Sequence, residues 1–239
     1  MQSYTSKLVL LLMTVFSIAM GFLESSVVVY LREIFYPRGF AFPLTPMTGH
    51  IALTELLREA STIVMLITVS VLAGKNARQK FALFLYSFAI WDIFYYVFLK
   101  VLIHWPESFF TWDILFLIPV IWTGPVITPV LVSGTMILMA IIIFHYEEKV
   151  TRLHLDWSVS ALIIAGSVLV FTAFIWDFTA FLVRDFSLSA LFEADISHTI
   201  IQSYIPSEFN WLLFLAGEVV ILTGIYRLLM AYQHAAENR

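Results

Sequence analysis

Acidic residues recur inside stretches of this sequence that are otherwise apolar. Those within the apolar stretches are Glu24, Glu55, Glu59, Asp92, Asp177 and Glu218, and Asp113 lies at the start of another. An ionised carboxylate at the centre of a bilayer costs at least roughly 2.5 to 3.5 kcal/mol, so such residues normally face a protein interior or a wet cavity and have a partner there. We therefore expect these carboxylates to gather in one site, where they can bind a cation or exchange protons.

The densest group of charges is Glu55, Arg58 and Glu59. On a helix, residues three or four apart share a face, so Arg58 can pair with Glu55 and both acids point the same way. Several carboxylates around one arginine cannot all stay ionised in a dry site, which favours a bound cation or a water-filled pocket. A salt-bridged helix end is the alternative interpretation.

Asp92 lies in the middle of the most informative apolar stretch, residues 81–105. Tyr95 and Tyr96 follow it closely on a helix, and we expect their hydroxyls to hydrogen-bond Asp92. We therefore predict that Tyr96 belongs to the acidic site. Asp177 and Glu218 are further predicted members of that site, because they are acids within apolar stretches. In the first apolar stretch, small residues precede Glu24 at helical spacing and favour close helix packing. The carboxylate of Glu24 needs a separate polar partner.

Two histidines at the outer ends of the predicted helices could bind a metal ion. His50 and His104 lie at the ends of different stretches, where imidazoles could ligate a metal ion together with a carboxylate such as Asp113. A divalent metal ion is the first candidate cofactor, and a haem iron is the second. The spacing contains no HExxH or HxxxH motif, so hydrogen bonding at the membrane interface is the alternative.

Composition sets the frame in which these residues must be placed. The chain has 239 residues, of which 61% are hydrophobic and 13% charged, and its mean hydropathy is +0.91. These values predict an all-α, polytopic membrane protein with one transmembrane domain over residues 1–239. The chain has no cysteine, which excludes disulfides, thiolate metal sites and a catalytic cysteine. It also lacks a P-loop, a dinucleotide fingerprint, a GxSxG motif and the basic face that nucleic-acid binding requires.

Six stretches are long and apolar enough to cross a bilayer. They cover residues 8–31, 50–74, 81–105, 126–144, 157–183 and 209–232. The apolar run over residues 113–145 is too long for one span and contains three prolines, so we predict an interfacial or re-entrant segment over 114–124. A single kinked helix is the alternative there. Apolar residues at helical spacing predict an external amphipathic helix over 187–203.

Lysine and arginine set the predicted orientation. With six spans, one side of the membrane gathers eight of the 13 basic residues, so that side should be cytoplasmic and should carry both termini. The protein should lie in the plasma or inner membrane, and the acids should lie in the outer half of the bilayer. Arg32, Lys100 and Arg184 each follow an acid by seven or eight residues, and we expect them to extend to the outer interface.

Two functional classes fit these patterns, and a third requires no site at all. The first is a membrane-embedded enzyme acting on a lipid-like substrate, with Glu24, Glu55, Glu59 and Asp92 as metal ligands or acid and base groups. Arg58 would then recognise an anionic head group or orient a carboxylate. The second class is a proton-coupled or cation transporter that uses the same acids. The third is a structural subunit of a membrane complex. The expected partners are the bilayer and a small-molecule, lipid or cation ligand, and the sequence leaves the oligomeric state open.

Overall fold

The computed structural model describes residues 2–47, 49–147, 149–150, 156–186, 200 and 202–237. Within these residues the chain forms six long helices and one pair of short strands. In chain order they are α1 (Gln2–Phe35), α2 (Gly49–Ala73), α3 (Ala77–Ile103), β1 (Trp112–Phe116), β2 (Trp122–Pro125), α4 (Ile127–Glu147), α5 (Trp157–Asp185) and α6 (Trp211–Glu237).

All six helices are long and apolar enough to cross a membrane. Their most apolar windows have mean hydropathies between 1.7 and 2.4, and the shortest of them, α4, has 21 residues. About 20 residues at 1.5 Å each cover the ~30 Å hydrocarbon layer of a bilayer. The predicted six-span, α-helical fold is therefore confirmed.

Successive helices run in opposite directions, so the bundle has two distinct ends. The hairpin end carries the strands β1 and β2. The terminal end carries both chain termini and the turn between α2 and α3. Asn76 caps α3 in this turn by accepting a hydrogen bond from the amide of Gln79 at 3.0 Å. Arg78 and Tyr232 both donate to Glu147 there, which joins α3, α4 and α6.

The segment predicted to be interfacial or re-entrant is a β-hairpin. Strands β1 and β2 pair antiparallel, with Trp112 opposite Pro125 and Asp113 opposite Gly124. The break before α4 is therefore found where the prolines indicated it, and its depth in the membrane stays a prediction. Most of the predicted amphipathic helix over 187–203 lies outside the described residues, since only 200, 202 and 203 are described.

Helix α3 is the centre of the site-forming half of the bundle, because α1, α2 and α4 all pack against it. Helices α5 and α6 form a tight pair of their own, which joins the rest through α4 and β2. They approach each other closely at Gly166 and Gly217, where a Cβ on Gly217 would lie 2.9 Å from the carbonyl oxygen of Gly166. Only glycine allows the two backbones to come so near.

Candidate functional site

A cavity of about 140 Å³ lies at the hairpin end between α1, α2, α3 and β1. We call it the hairpin-end cavity. Its charged and hydroxyl-bearing lining residues are Glu24, Arg32, Tyr36, Glu55, Arg58, Glu59, Thr62, Asp92, Tyr95, Tyr96 and Asp113. Because a water molecule takes up roughly 30 Å³ in the liquid, the cavity has room for about four or five waters or for one small polar group. Five carboxylates and two arginines from four elements therefore meet around one small space.

Arg58 holds two of the five carboxylates. Its Nε donates to Oε2 of Glu55 at 2.8 Å, and its Nη1 donates to Oε1 of Glu24. The hydroxyl of Thr62 donates to the other oxygen of Glu24 at 3.3 Å. The predicted pairing of Arg58 with Glu55 is confirmed, and Arg58 also supplies the partner that Glu24 needed.

Glu59 connects α2 to the hairpin. Its Oε2 accepts a hydrogen bond from the backbone amide of Leu117, at 3.0 Å, in the turn between β1 and β2. The side chain is buried, and it forms no ion pair within the described part of the chain. Glu59 therefore differs from Glu24 and Glu55, which both form ion pairs with Arg58.

Asp113 has its own cation, which the sequence did not indicate. Nη2 of Arg32 lies 3.3 Å from Oδ1 of Asp113, and both side chains are at least nine-tenths buried. The guanidinium also lies over the rings of Trp105 and Phe40, at 3.7 and 4.6 Å from their centroids. Arg32 is therefore buried against the aromatic rings and Asp113, and its depth relative to the membrane interface stays a prediction.

Burial raises the pKa of Asp113 from its usual 3.8 to about 6. The positive charge of Arg32 opposes this rise, and so do hydrogen bonds from the amide of Ile114 and from Tyr96. The cost of removing the carboxylate from water is thus larger than the stabilisation that its partners supply. Asp113 is ionised at neutral pH but takes up a proton in mildly acidic conditions.

Asp92 finds its partner on α4. The hydroxyl of Ser133 donates to Oδ2 of Asp92 at 2.8 Å. The predicted hydrogen bond from Tyr96 to Asp92 is wrong, because Tyr96 donates to Oδ2 of Asp113 at 3.3 Å instead. The long tyrosine side chain extends past Asp92 towards β1. Like Glu59, Asp92 forms no ion pair among the described residues.

Two residues that line the cavity, Arg32 and Trp91, each carry a buried donor. Nη1 of Arg32 and Nε1 of Trp91 have no hydrogen-bond partner within the described residues. A buried donor without a partner costs about 1 to 3 kcal/mol, so native structures rarely keep one without a reason. The residues that line the cavity therefore include two with an unsatisfied N–H donor as well as five with a carboxylate.

The remaining two acids of the predicted set lie outside this cavity. Asp177 accepts hydrogen bonds from the hydroxyls of Tyr204 and Ser207, at 2.8 and 2.7 Å. Glu218 accepts one from Thr135 at 2.7 Å. Both acids belong to the paired helices α5 and α6, which pack away from α1 and α2. The structure thus brings together five of the seven predicted acids and separates the other two from them.

The predicted metal ligands do not come together. His50 and His104 are exposed at separate helix ends, whereas Asp113 is buried. Across the described ranges, no group of three or more His, Asp or Glu side chains is arranged to hold a metal ion. The ligand set His50, His104 and Asp113 therefore gains no support from the geometry.

Comparisons of the chain with models of protein families, with curated proteins and with solved structures found no match. Its six apolar helices define it as a multi-pass integral membrane protein.

Proposed function

We propose that this protein is a membrane-embedded enzyme that uses Glu59 and Asp92 as an acid and base pair on the polar group of a lipid-like substrate. The observation that carries the proposal is that these two carboxylates line the same small cavity as three others, and they are the two that form no ion pair among the described residues. Asp113 pairs with Arg32, and Glu24 and Glu55 share Arg58. A carboxylate held by one neutral donor remains available to exchange protons with a substrate.

The unpartnered donors support an oxygen-bearing substrate. Arg32 and Trp91 both line the cavity, and we propose that their side chains turn so that a carbonyl, phosphoryl or alkoxide oxygen accepts from Nη1 of Arg32 and Nε1 of Trp91. Donors fixed in a buried site stabilise the negative charge that develops on such an oxygen during acyl or phosphoryl transfer. In the proposed step, the base takes a proton from an attacking water or hydroxyl. The new bond forms to the electrophilic centre, and the acid gives a proton to the oxygen that leaves.

The packing of the helices supports a substrate from the bilayer. In the described part of the chain, α1 and α2 both pack on α3, and they meet each other through side chains such as Glu24 and Arg58 beside the cavity. We propose that lipid-like molecules enter from the bilayer between α1 and α2, beside the bond from Arg58 to Glu24. Because the cavity holds only about 140 Å³, it would accept the polar group while the chains stay in the bilayer.

We further propose that the terminal end faces the cytoplasm and that the protein lies in the plasma or inner membrane. The described basic residues towards the terminal end are Lys7, Lys75, Arg78, Lys80, Lys149 and Arg227. The described basic residues towards the hairpin end are five, Arg32, Arg38, Arg58, Lys100 and Arg184, and acids of the cavity hold Arg32 and Arg58. The larger number of basic residues at the terminal end supports a cytoplasmic terminal end under the positive-inside rule, and the hairpin-end cavity would then lie in the outer half of the bilayer.

The test is a search for turnover of membrane lipids. Purified protein in detergent is incubated with a total lipid extract, and the extract is compared over time by mass spectrometry. We expect one lipid class to decrease with the unmodified protein and to stay constant with Glu59→Gln and with Asp92→Asn.

Glu218→Gln is the matched control, because Glu218 is also a buried acid held by one hydroxyl but lies outside the cavity. It should retain the turnover. A lipid change that persists in Glu59→Gln and Asp92→Asn would contradict the assigned roles, and a folded protein that changes no lipid would contradict the enzyme.

Proton-coupled or cation transport is the second candidate, and one observation favours it. Polar side chains continue from the cavity towards the terminal end: Tyr86 and Thr14 share a hydrogen bond of 2.8 Å, and Ser70 and Ser87 share one of 3.4 Å. The buried hydroxyl of Ser17 has no partner among the described residues. Proteoliposomes with an entrapped pH-sensitive dye test this candidate. A proton flux that is lost in Asp92→Asn but kept in Glu218→Gln would favour transport.

A further inference from the structure

A second and larger cavity lies at the terminal end between α1, α3 and α4. Its volume is about 510 Å³, within the range of roughly 300 to 1,000 Å³ that is usual for ligand pockets. We call it the terminal-end cavity. Its lining residues are Lys7, Leu10, Ala82, Leu83, Tyr86, Ala140, Ile141, Phe144, His145 and Lys149. None of them lines the hairpin-end cavity.

The polar part of this lining is basic. Lys7 and Lys149 are both exposed, and Nζ of Lys149 donates to Nε2 of His145 at 2.7 Å. An ammonium group has three N–H donors, so Lys149 retains donors beyond the one that faces His145. The lining thus presents two positive charges from two different helix ends, and none of its described residues is an acid.

Glu147, the described acid next to this region, already has hydrogen-bond donors from its own chain. Glu147 accepts two hydrogen bonds from Arg78, at 2.7 and 2.9 Å, and further bonds from Asn76 and Tyr232, both at 3.1 Å. Lys149 follows Glu147 by two residues but forms no ion pair with it. Among the described residues, no acid pairs with Lys7 or Lys149, so their positive charge can attract an anion from outside the chain.

The rest of the lining is apolar and extends along the membrane-spanning helices. Lys7 begins the first span, Lys7–Phe35, and Lys149 follows the fourth, Ile127–Glu147. The basic rim therefore lies at the membrane boundary. Leu10 and Leu83 lie further along α1 and α3, towards the interior of the bilayer. A charged rim above an apolar wall matches a molecule with an anionic head and a hydrocarbon chain.

We propose that the terminal-end cavity binds one anionic phospholipid from the adjoining leaflet. The lipid phosphate contacts Lys7 and Lys149, and an acyl chain lies along the apolar side chains of α1, α3 and α4. The hydroxyl of Tyr86, bonded to Thr14 at 2.8 Å, marks the deep end of the cavity. A lysine near an anionic membrane surface contributes about 1 kcal/mol of attraction, so two lysines favour an anionic lipid over a zwitterionic one by roughly 10- to 30-fold.

Native mass spectrometry of the purified protein tests this site. The protein in detergent is titrated with phosphatidylglycerol or with phosphatidylcholine, and the lipid-bound fraction is measured at each concentration. We expect the unmodified chain to retain one phosphatidylglycerol at concentrations roughly 10- to 30-fold below those needed for phosphatidylcholine. The double variant Lys7→Gln and Lys149→Gln should bind the two lipids equally.

The matched control is the double variant Lys75→Gln and Lys80→Gln. It removes two basic residues from the same end of the bundle, but neither of them lines the cavity. Unchanged preference in this control supports the cavity, and an equal loss in both double variants means that the terminal end attracts anionic lipids only through its overall charge. Glycerol phosphate, which has the head group without the chains, should not displace the lipid. Displacement by glycerol phosphate or a Lys7 and Lys149 variant with unchanged preference would overturn the proposal.

Discussion

Arg32 of α1 and Asp113 of β1 form a buried ion pair, with 3.3 Å between Nη2 and Oδ1. The two residues are 81 positions apart in the sequence, and the pair attaches the hairpin to the end of the first helix. Burial outweighs the attraction between the two charges, because the pKa of Asp113 remains above its usual value. The two partners should therefore respond differently to substitution.

Arg32→Gln should destabilise the protein at pH 8. It leaves an ionised carboxylate buried without a cation, a change that costs roughly 3 to 5 kcal/mol in soluble proteins. The loss should be smaller at pH 5, because Asp113 can then become neutral by taking up a proton. Thermal unfolding in detergent at the two pH values measures the difference. Arg184→Gln, which removes an exposed ion pair with Asp185, is the control and should have no measurable effect.

Asp113→Asn should remove a pH dependence and need not destabilise the protein at all. A carboxyl whose pKa rises from 3.8 to about 6 on folding contributes stability that is complete below pH 3.8 and is lost as the pH rises through 6. A shift of that size corresponds to about 3 kcal/mol. The asparagine variant should therefore match the unmodified protein near pH 4 and become more stable than it at pH 7. Unfolding curves between pH 4 and pH 8 check this, and a variant that is less stable at pH 7 would refute it.

Arg58→Gln should be more damaging than a substitution of either acid that Arg58 binds. It leaves Glu24 and Glu55 buried without a cation, and we expect a loss of roughly 3 to 5 kcal/mol in the free energy of unfolding. Arg58→Lys should recover little, because an ammonium lacks the forked donors that reach two carboxylates. Adding Glu24→Gln and Glu55→Gln to Arg58→Gln should recover part of the loss. Thermal unfolding of the single and triple variants gives the comparison.

The spans and the local pairing on α2 could be predicted from the sequence because both depend on short spacing. Apolar runs of about 20 residues determine the helices, and positions three apart determine the bond between Arg58 and Glu55. The cost of placing acids in an apolar span was the reason for predicting that they gather. The five acids that do so are Glu24, Glu55, Glu59, Asp92 and Asp113. That cost requires each acid to have a neighbour, but it does not say which one.

The contacts that the sequence did not reveal are all between distant segments. Ser133 reaches Asp92 from α4, and the amide of Leu117 reaches Glu59 from a turn. A single serine among apolar residues gives no signal of its partner, and a backbone donor gives none at all. From its position near a helix end, Arg32 was expected at the membrane interface. Its burial depends on Trp105 and on the hairpin, which are distant in the sequence.

Glu59 should hold the hairpin turn in place. Glu59→Ala removes the acceptor for the amide of Leu117, and a hydrogen bond to a charged group is worth about 1.5 to 3 kcal/mol. We expect that amide to exchange with solvent at least roughly tenfold faster when local opening limits exchange. Hydrogen exchange with mass spectrometry on peptides from residues 112–125 measures the change. Glu59→Gln keeps an acceptor oxygen and should show a smaller effect, and equal rates in all three proteins would contradict the assignment.

Close packing of α5 on α6 should be sensitive to a single methyl group at Gly217. A Cβ there would lie 2.8 Å from Cγ2 of Val170 and 2.9 Å from the carbonyl oxygen of Gly166, so the backbones must separate. Gly217→Ala should cost roughly 1 to 3 kcal/mol through overpacking. Gly134→Ala on α4 is the matched control, because nothing lies within 4 Å of a Cβ at that position. It should leave stability unchanged or raise it by up to about 1 kcal/mol, since alanine favours a helix more than glycine does. Equal melting temperatures for the two variants would show that α5 and α6 do not approach each other at Gly217.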